Sequence, residues 1–252
     1  MKSLIGWIGG KRALCKAILE RFPAEETGRY IEVFGGAAWV LFAREKIPGQ
    51  LEVYNDINSN LTNLFRCVKY HCGELQRELE WMLTSREQFF DCLNQLHIRG
   101  LTDIQRAARF FYTIKISFGS DNRTYATGSK SIDHAVVYME KIQERLRGVN
   151  IENKDFEDLI KVYDRRDALF YLDPPYIGAE KYYESPFYMQ DHHRLKSVLS
   201  QIKGRFILSY NDHPLVHEMY AGSRIEGITR PSTLSGSGNN QTQYAELIIR
   251  NF

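Results

Sequence analysis

Short apolar runs along the chain alternate with longer stretches in which apolar residues return every three or four positions, and the two periods predict different elements. The segments "RYIEVF", "QLEVYN", "LFYL", "RFILSY", "RIEGITR" and "YAELIIRNF" are rich in β-branched and aromatic residues and read as strands. Helical spacing runs from Lys11 to Arg21, through most of Asn58 to Arg147, notably "LQRELEWMLTSREQFFDCL" and "DIQRAARFFYTIKISF", and again from about Asp191. Twice a strand passes through a turn into a helix. "RYIEVFGGAAWVLF" does so through Gly35-Gly36, and "QLEVYNDINSNLTNLF" through Asn55-Asp56 and polar capping residues. Consecutive units of this kind build a parallel sheet, so the expected class is α/β, with a helical block inserted before the strand "LFYLDPPY". The stretches "GSDNRTYATGSKS" and "PSTLSGSGNNQTQ" read as loops.

A length of 252 residues supports one α/β core carrying an inserted subdomain. Hydrophobic content of 43% and charged content of 25% are ordinary for a globular protein. No apolar run reaches the length of a membrane span, and "MKSLIGWIGGKRALCK" lacks the unbroken apolar core of a secretory signal, so the expected location is cytoplasmic. Cys15, Cys67, Cys72 and Cys92 are too scattered for a disulfide framework. Cys67 and His71 sit four apart, but no second Cys/His pair completes a tetrahedral set, and no metal is expected. The net charge of +2 says little until it is located: residues 99 to 130 carry six basic against two acidic residues. Interleaved with Phe110, Phe111, Tyr112, Phe118 and Tyr125, that window fits either a surface for phosphates and bases or a buried aromatic core beneath a solvated basic face.

Two patterns carry chemistry. The turn Phe34-Gly35-Gly36, with Asp56 twenty positions past Gly36, is the layout of a nucleoside-cofactor site: small residues admit close backbone approach, and an acid ending the second strand accepts hydrogen bonds from ribose hydroxyls. No full G-x-G-x-x-G pattern and no P-loop is present, which counts against dinucleotides and triphosphates. The second pattern is Asp173-Pro174-Pro175-Tyr176. Two prolines end the strand in a fixed turn and present Asp173 and Tyr176 at its carboxyl edge, where open α/β sheets bind ligands. An exocyclic amine on a base is a poor nucleophile because its lone pair is delocalised into the ring. A carboxylate and a backbone carbonyl accepting its two N–H groups favour the pyramidal amine, and a stacked aromatic ring fixes the angle of attack. Asp173, the Pro174 carbonyl and the Tyr176 ring supply these three.

With these motifs in place, the chain resembles the Dam-type adenine-specific DNA methyltransferases, the D12 class, of bacteria and bacteriophages. The resemblance runs nearly end to end, through "GWIGGKR", "YIEVFGGAAWVLF", "YNDIN", "KDFEDLI", "LDPPY", "LSYND" and "ELIIRN" in the family's order. It implies a Rossmann-like class I methyltransferase sheet from residues 1–57 and 148–252, and an inserted helical target-recognition subdomain, 58–147, with a loop at 119–131. It also implies S-adenosylmethionine held by Trp7, Lys11, Glu32, Phe34, Gly36, Asp56, Asp155, Phe156 and Asp173, and catalysis by Asp173, Pro174, Pro175 and Tyr176 on an adenine flipped out of double-stranded DNA. Arg109, Lys115, Arg123 and Lys130 are expected on phosphates, and Asn122, Arg123 and Tyr125 on base edges, in a monomer or weak dimer.

The chain departs from the family pattern at two places: Val33 follows Glu32 where many relatives have proline, and Ala38 replaces a further glycine, at an expected cost of one methyl group of clearance toward the cofactor. The loop "SFGSDNRTYATGSKS" does not reproduce residues of GATC-reading relatives, so the target sequence stays open. Two other readings also stay open. One is a cytosine-N4 or RNA methyltransferase, against which Asp173 argues because cytosine enzymes more often carry serine there; the other is a catalytically silent DNA-binding protein of the same fold.

Overall fold

A computed structural model describes residues 1–25, 27–126, 131–178, 185, 187–231 and 243–252. Its strands are β1 (Arg29–Glu32), β2 (Leu51–Asn55), β3 (Val149–Glu152), β4 (Ala168–Leu172), β5 (Arg205–Asn211), β6 (Arg224–Pro231) and β7 (Gln243–Arg250). They form a seven-stranded sheet in the order β3-β2-β1-β4-β5-β7-β6. The first five are parallel, with Ile31 opposite Val53 and Phe170, while β7 runs antiparallel between β5 and β6. β3 was not anticipated: it is a short edge strand with a single buried residue, Val149, too little pattern to separate it from a helix end.

The strands read as continuous apolar runs because the sheet is covered on both faces. Their two-residue period sends Tyr30, Tyr54, Leu169, Tyr171, Ile207 and Ile248 into one core, and Ile31, Val53, Phe170, Leu172, Leu208, Leu247 and Ile249 into the other. On the second face lie α8 (Phe156–Tyr163), α9 (Met189–Leu199) and α10 (Pro214–Met219). On the first lie α1 (Cys15–Leu19), α2 (Trp39–Ala43) and the inserted helices α3 (Ser59–Tyr70), α4 (Cys72–Glu80), α5 (Arg86–Gln95), α6 (Asp103–Ile116) and α7 (Asp133–Leu146).

The inserted helices pack around α6, which buries Ala107, Ala108, Phe110, Phe111, Tyr112, Ile114 and Ile116 after a capping box between Thr102 and Gln105. Its core is continuous with the first face of the sheet. Arg145 on α7 strengthens that union, donating to Glu52 of β2 at 2.6 and 2.8 Å and to the Leu41 carbonyl at 2.8 Å. One helical expectation is corrected: the pattern at Lys11 to Arg21 is helical only over Cys15–Leu19. The stretch "LQRELEWMLTSREQFFDCL" is helical as expected, divided into α4 and α5 where Ser85 caps a new helix by accepting from the Gln88 amide.

All four cysteines are buried and free. Burial pushes the Cys15 thiol up to about 12 and Cys67 up to about 11, and Cys67 donates to the Asn63 side chain. Among the described residues no group of three or more metal-ligating side chains gathers, and no helix is long and apolar enough to cross a membrane.

The turn after β1 shows why it is built from small residues. A Cβ on Gly35 would stand 2.2 Å from the Tyr54 ring of the neighbouring strand, and Gly36 takes φ +48°. Ala38 is also left-handed, at φ 56°, ψ 38°, and fully buried. The departure from glycine at this position therefore costs backbone strain, about 1 kcal/mol, rather than the cofactor clearance expected from sequence. Ala38→Gly is predicted to stabilise the fold by about 0.5–1 kcal/mol, seen as a higher urea midpoint at unchanged slope. A lower midpoint would mean that the packing of the Ala38 methyl outweighs the strain.

Candidate active site

In an open sheet the crevice lies where adjacent strands send their connections to opposite faces. Here that happens between β1, which continues into α2 on one face, and β4, which leads to α9 on the other. A cleft open at its mouth lies there, lined by Trp7, Gly9, Lys11, Glu32, Phe34, Gly36, Asp56, Tyr171, Asp173 and Pro175 among others. Asp155 and Phe156 line an adjoining compartment that shares Phe34, Ile57, Pro175 and Ser185 with the first, so the two form one groove. The structure thus brings all the cofactor residues expected from sequence to one crevice.

Asp56 is held at the end of β2 by two backbone amides, Gly36 N to Oδ2 and Asn58 N to Oδ1, both 2.8 Å. Trp7 lies against the same turn: a Cβ on Gly36 would be 3.0 Å from its ring. In the adjoining compartment Phe34, Phe156 and Phe187 meet pairwise with ring centroids 5.7 Å apart, tilted or edge-on to one another, and form an apolar wall. Asp155 caps α8 through the Glu157 amide and pairs with Arg194 at 2.9 Å, while that guanidinium lies 4.8 Å from the Phe156 ring centroid.

At the end of β4 the motif Asp173-Pro174-Pro175-Tyr176 is wired into the protein. Asp173 Oδ1 accepts from the Ser209 hydroxyl of β5 at 2.9 Å and pairs with Lys11 Nζ at 2.8 Å. Oδ2 takes no hydrogen bond from the described residues, and the residue lines the cleft. Lys11, 3% exposed, also donates to the Gly9 carbonyl at 3.0 Å and lies 3.8 Å from Glu246 Oε2. The Tyr176 hydroxyl donates to the same Glu246 oxygen at 3.0 Å, and its ring stacks on Tyr210 with centroids 5.8 Å apart. Pro174 is buried, and Pro175, partly buried, lines the cleft with Asp173.

Glu32 ends β1 beneath this cluster. Burial, opposed by hydrogen bonds from the Leu41 amide and the Tyr30 hydroxyl and aided by the neighbouring Asp173 charge, pushes its carboxyl up to about 8.

The expected DNA contacts separate. Phe110, Phe111 and Tyr112 are core, so for them the buried-aromatic reading of the basic window is the correct one. Arg109 is corrected to a packing residue: it bonds Gln95, Glu78 and the Gln105 carbonyl, joining α4, α5 and α6. Asn122 is buried at φ 54° and its backbone N–H donates to the Ser117 hydroxyl oxygen, so its side chain is turned inward rather than toward a base. Tyr125 is half-buried between Phe89 and the Arg86 guanidinium, and Lys115 lies partly buried 5.6 Å from the Phe111 centroid. Arg123 is exposed, and Lys130 lies outside the described residues.

Sequence reasoning missed Ser209 and Glu246, polar residues inside otherwise apolar strands, which was the available signal. Of the aromatics in the basic window, Phe118 differs from the buried ones. Phe118 is 69% exposed on a single 3-10 turn, Phe118–Ser120, in which Gly119 and Ser120 both have φ near +60°. A Cβ on Gly6 would stand 2.5 Å from Ser120 Oγ, so this turn packs beside Trp7 at the cleft rim.

The strand order with a reversed β7, and a glycine turn and two acids converging at the switch point, define a Rossmann-like methyltransferase fold. Residues 7–235 match the model of the D12 class N6 adenine-specific DNA methyltransferases, and the chain belongs to that family. It is 23% identical over 268 residues to the type II methyltransferase M.CviBI of Paramecium bursaria Chlorella virus NC1A, covering 100% of both chains. To the type II methyltransferase M.MjaIII of Methanocaldococcus jannaschii it is 23% identical over 289 residues, covering 100% of this chain and 99% of the other. The chain is a DNA methyltransferase.

Glu32 gives a pH prediction. Its folded value of about 8 lies above the ordinary 4.5, so the folded state holds a proton that the unfolded state lacks between them. Its contribution to stability is full below the ordinary value, falls as pH rises, and is gone above about 8. Glu32→Gln keeps an acceptor for Leu41 and Tyr30, and its unfolding free energy should fall less steeply than wild type between these pH values. Parallel pH profiles in urea titrations would show that Glu32 is ionised in the fold.

Proposed function

We propose that this methyltransferase transfers the methyl group of S-adenosylmethionine to N6 of an adenine flipped out of double-stranded DNA, within a short target sequence. The observation that carries the reading is the state of Asp173: one carboxylate oxygen is anchored by Lys11 and Ser209, while the other takes no hydrogen bond from the described residues at the cleft. Such a carboxylate can accept an N–H of the amine and stabilise the positive charge that develops on nitrogen.

The residues present fit the cofactor. The cradle at Gly35 and Gly36 has no room for a side chain at Gly35, Asp56 is oriented at the end of β2 for ribose hydroxyls, and the apolar wall of Phe34, Phe156 and Phe187 lines the compartment beyond it, where the base of the cofactor would lie. When bound, S-adenosylmethionine supplies an electrophilic methyl group on a sulfonium, and the anionic lining of the cleft, Asp56 and Asp173, suits that positive charge. Asp155, engaged by Arg194, lines the same compartment.

A flipped adenine needs a replacement for its lost stacking, and Tyr176, on the strand end beside Asp173, offers the ring. The carbonyl of Pro174 is the second acceptor for the amine. We assign target recognition to the helical block 58–147 and its loop 119–131, with exposed Phe118 and Arg123 at the face toward DNA.

Asp173→Ala is predicted to bind S-adenosylmethionine with a Kd within about threefold of wild type by calorimetry, and to lose about 10²–10³-fold or more in methyl transfer to DNA. Turnover at the wild-type rate would remove Asp173 from catalysis.

A further inference from the structure

The mechanism above leaves one buried acid without a task. Glu246 is 2% exposed on β7, opposite Asn211 of β5 and Ile228 of β6, and the next three residues, Leu247, Ile248 and Ile249, are all apolar core. Burying a carboxylate costs several kcal/mol before pairing, and an apolar residue of similar size generally serves stability as well or better. A role beyond holding the strand follows from what Glu246 touches. Its Oε2 accepts from the Tyr176 hydroxyl at 3.0 Å and lies 3.8 Å from Lys11 Nζ, which itself lies 2.8 Å from Asp173 Oδ1. The same ammonium is 4.7 Å from the centroid of the Tyr176 ring. One oxygen on the antiparallel strand therefore meets both halves of the catalytic motif: the aromatic ring directly, and the carboxylate through the lysine.

We propose that Glu246 is a positioning residue for methyl transfer, fixing the Tyr176 ring by its hydroxyl and Lys11 by charge, so that ring and Asp173 carboxylate keep one relation around the target amine. The inference rests on the adenine-methylating reading of the site. Small displacements of a positioned group lower the rate far more than they lower binding, because near-attack geometry is needed only for the chemical step. Glu246 does not line the cleft, so its loss should spare the cofactor.

The test compares Glu246→Ala, Glu246→Gln, Tyr176→Phe and the Glu246→Ala/Tyr176→Phe double variant in the full chain. It measures S-adenosylmethionine Kd by calorimetry, and kcat and KM on DNA from a methylation-deficient host. Glu246→Ala should lower kcat about 10- to 100-fold with cofactor Kd and DNA KM within about threefold. Glu246→Gln, which keeps an acceptor for Tyr176, should recover part of that loss. Tyr176→Phe should lower kcat in the wild-type background and have no further effect beside Glu246→Ala, since both remove one bond. Tyr176→Phe leaves β7 intact and keeps the test valid if the strand variants fold poorly. Undiminished kcat, independent losses in the double variant, or a loss of cofactor affinity that tracks the loss of kcat would each overturn the proposal. If the unaltered enzyme transfers no methyl group to DNA, the parent reading falls and takes this one with it; transfer by the unaltered enzyme isolates failure to Glu246.

Discussion

A lysine ammonium held inside the protein is the constraint around which the site is arranged. Lys11, 3% exposed, is tolerable there only because Asp173 and Glu246 flank it, and removing one partner of such a buried pair typically costs about 3–5 kcal/mol. The cluster ties together three distant parts of the chain: the N-terminal segment, the end of β4 and the reversed strand β7. It also sets the chemistry. Because Lys11 and Ser209 both hold Oδ1, the Asp173 carboxylate cannot rotate freely, and in the function we propose its second oxygen accepts a substrate hydrogen.

The sheet supplies the rest of the geometry. With two faces of alternating apolar residues buried under separate helical layers, β1 and β4 are fixed side by side, and their carboxyl ends open the crevice. The inserted helices share the first core, and Arg145 bonds α7 to Glu52, so the block that we assign to DNA recognition is braced against the sheet. The turn Phe118–Ser120 packs against Gly6, the residue before Trp7, which lines the crevice.

Much of this arrangement was legible in the sequence, for identifiable reasons. Continuous apolar strands, glycine at the first strand end and acids at the ends of β2 and β4 are local patterns, and each lies where it was expected. What the sequence hid depends on partners far along the chain. Arg109 looked like a phosphate ligand because its charge is visible and its bonds to Glu78 and Gln95 are not. Asn122 looked like a base reader because nothing local shows that its backbone turns left-handed and buries the side chain. Ala38 read as a question of clearance, and the backbone dihedral makes it one of strain. Glu246 and Ser209 acquire meaning only once β7 and β5 are laid beside β4.

The most direct test of adenine methylation at this site is to incubate the unaltered protein with S-adenosylmethionine and DNA from a methylation-deficient host, then map the modified bases by sequencing and digest the product to nucleosides. N6-methyladenine confined to one short sequence is the predicted result. Methyl groups on cytosine N4, or none on DNA despite measurable cofactor binding, would contradict it.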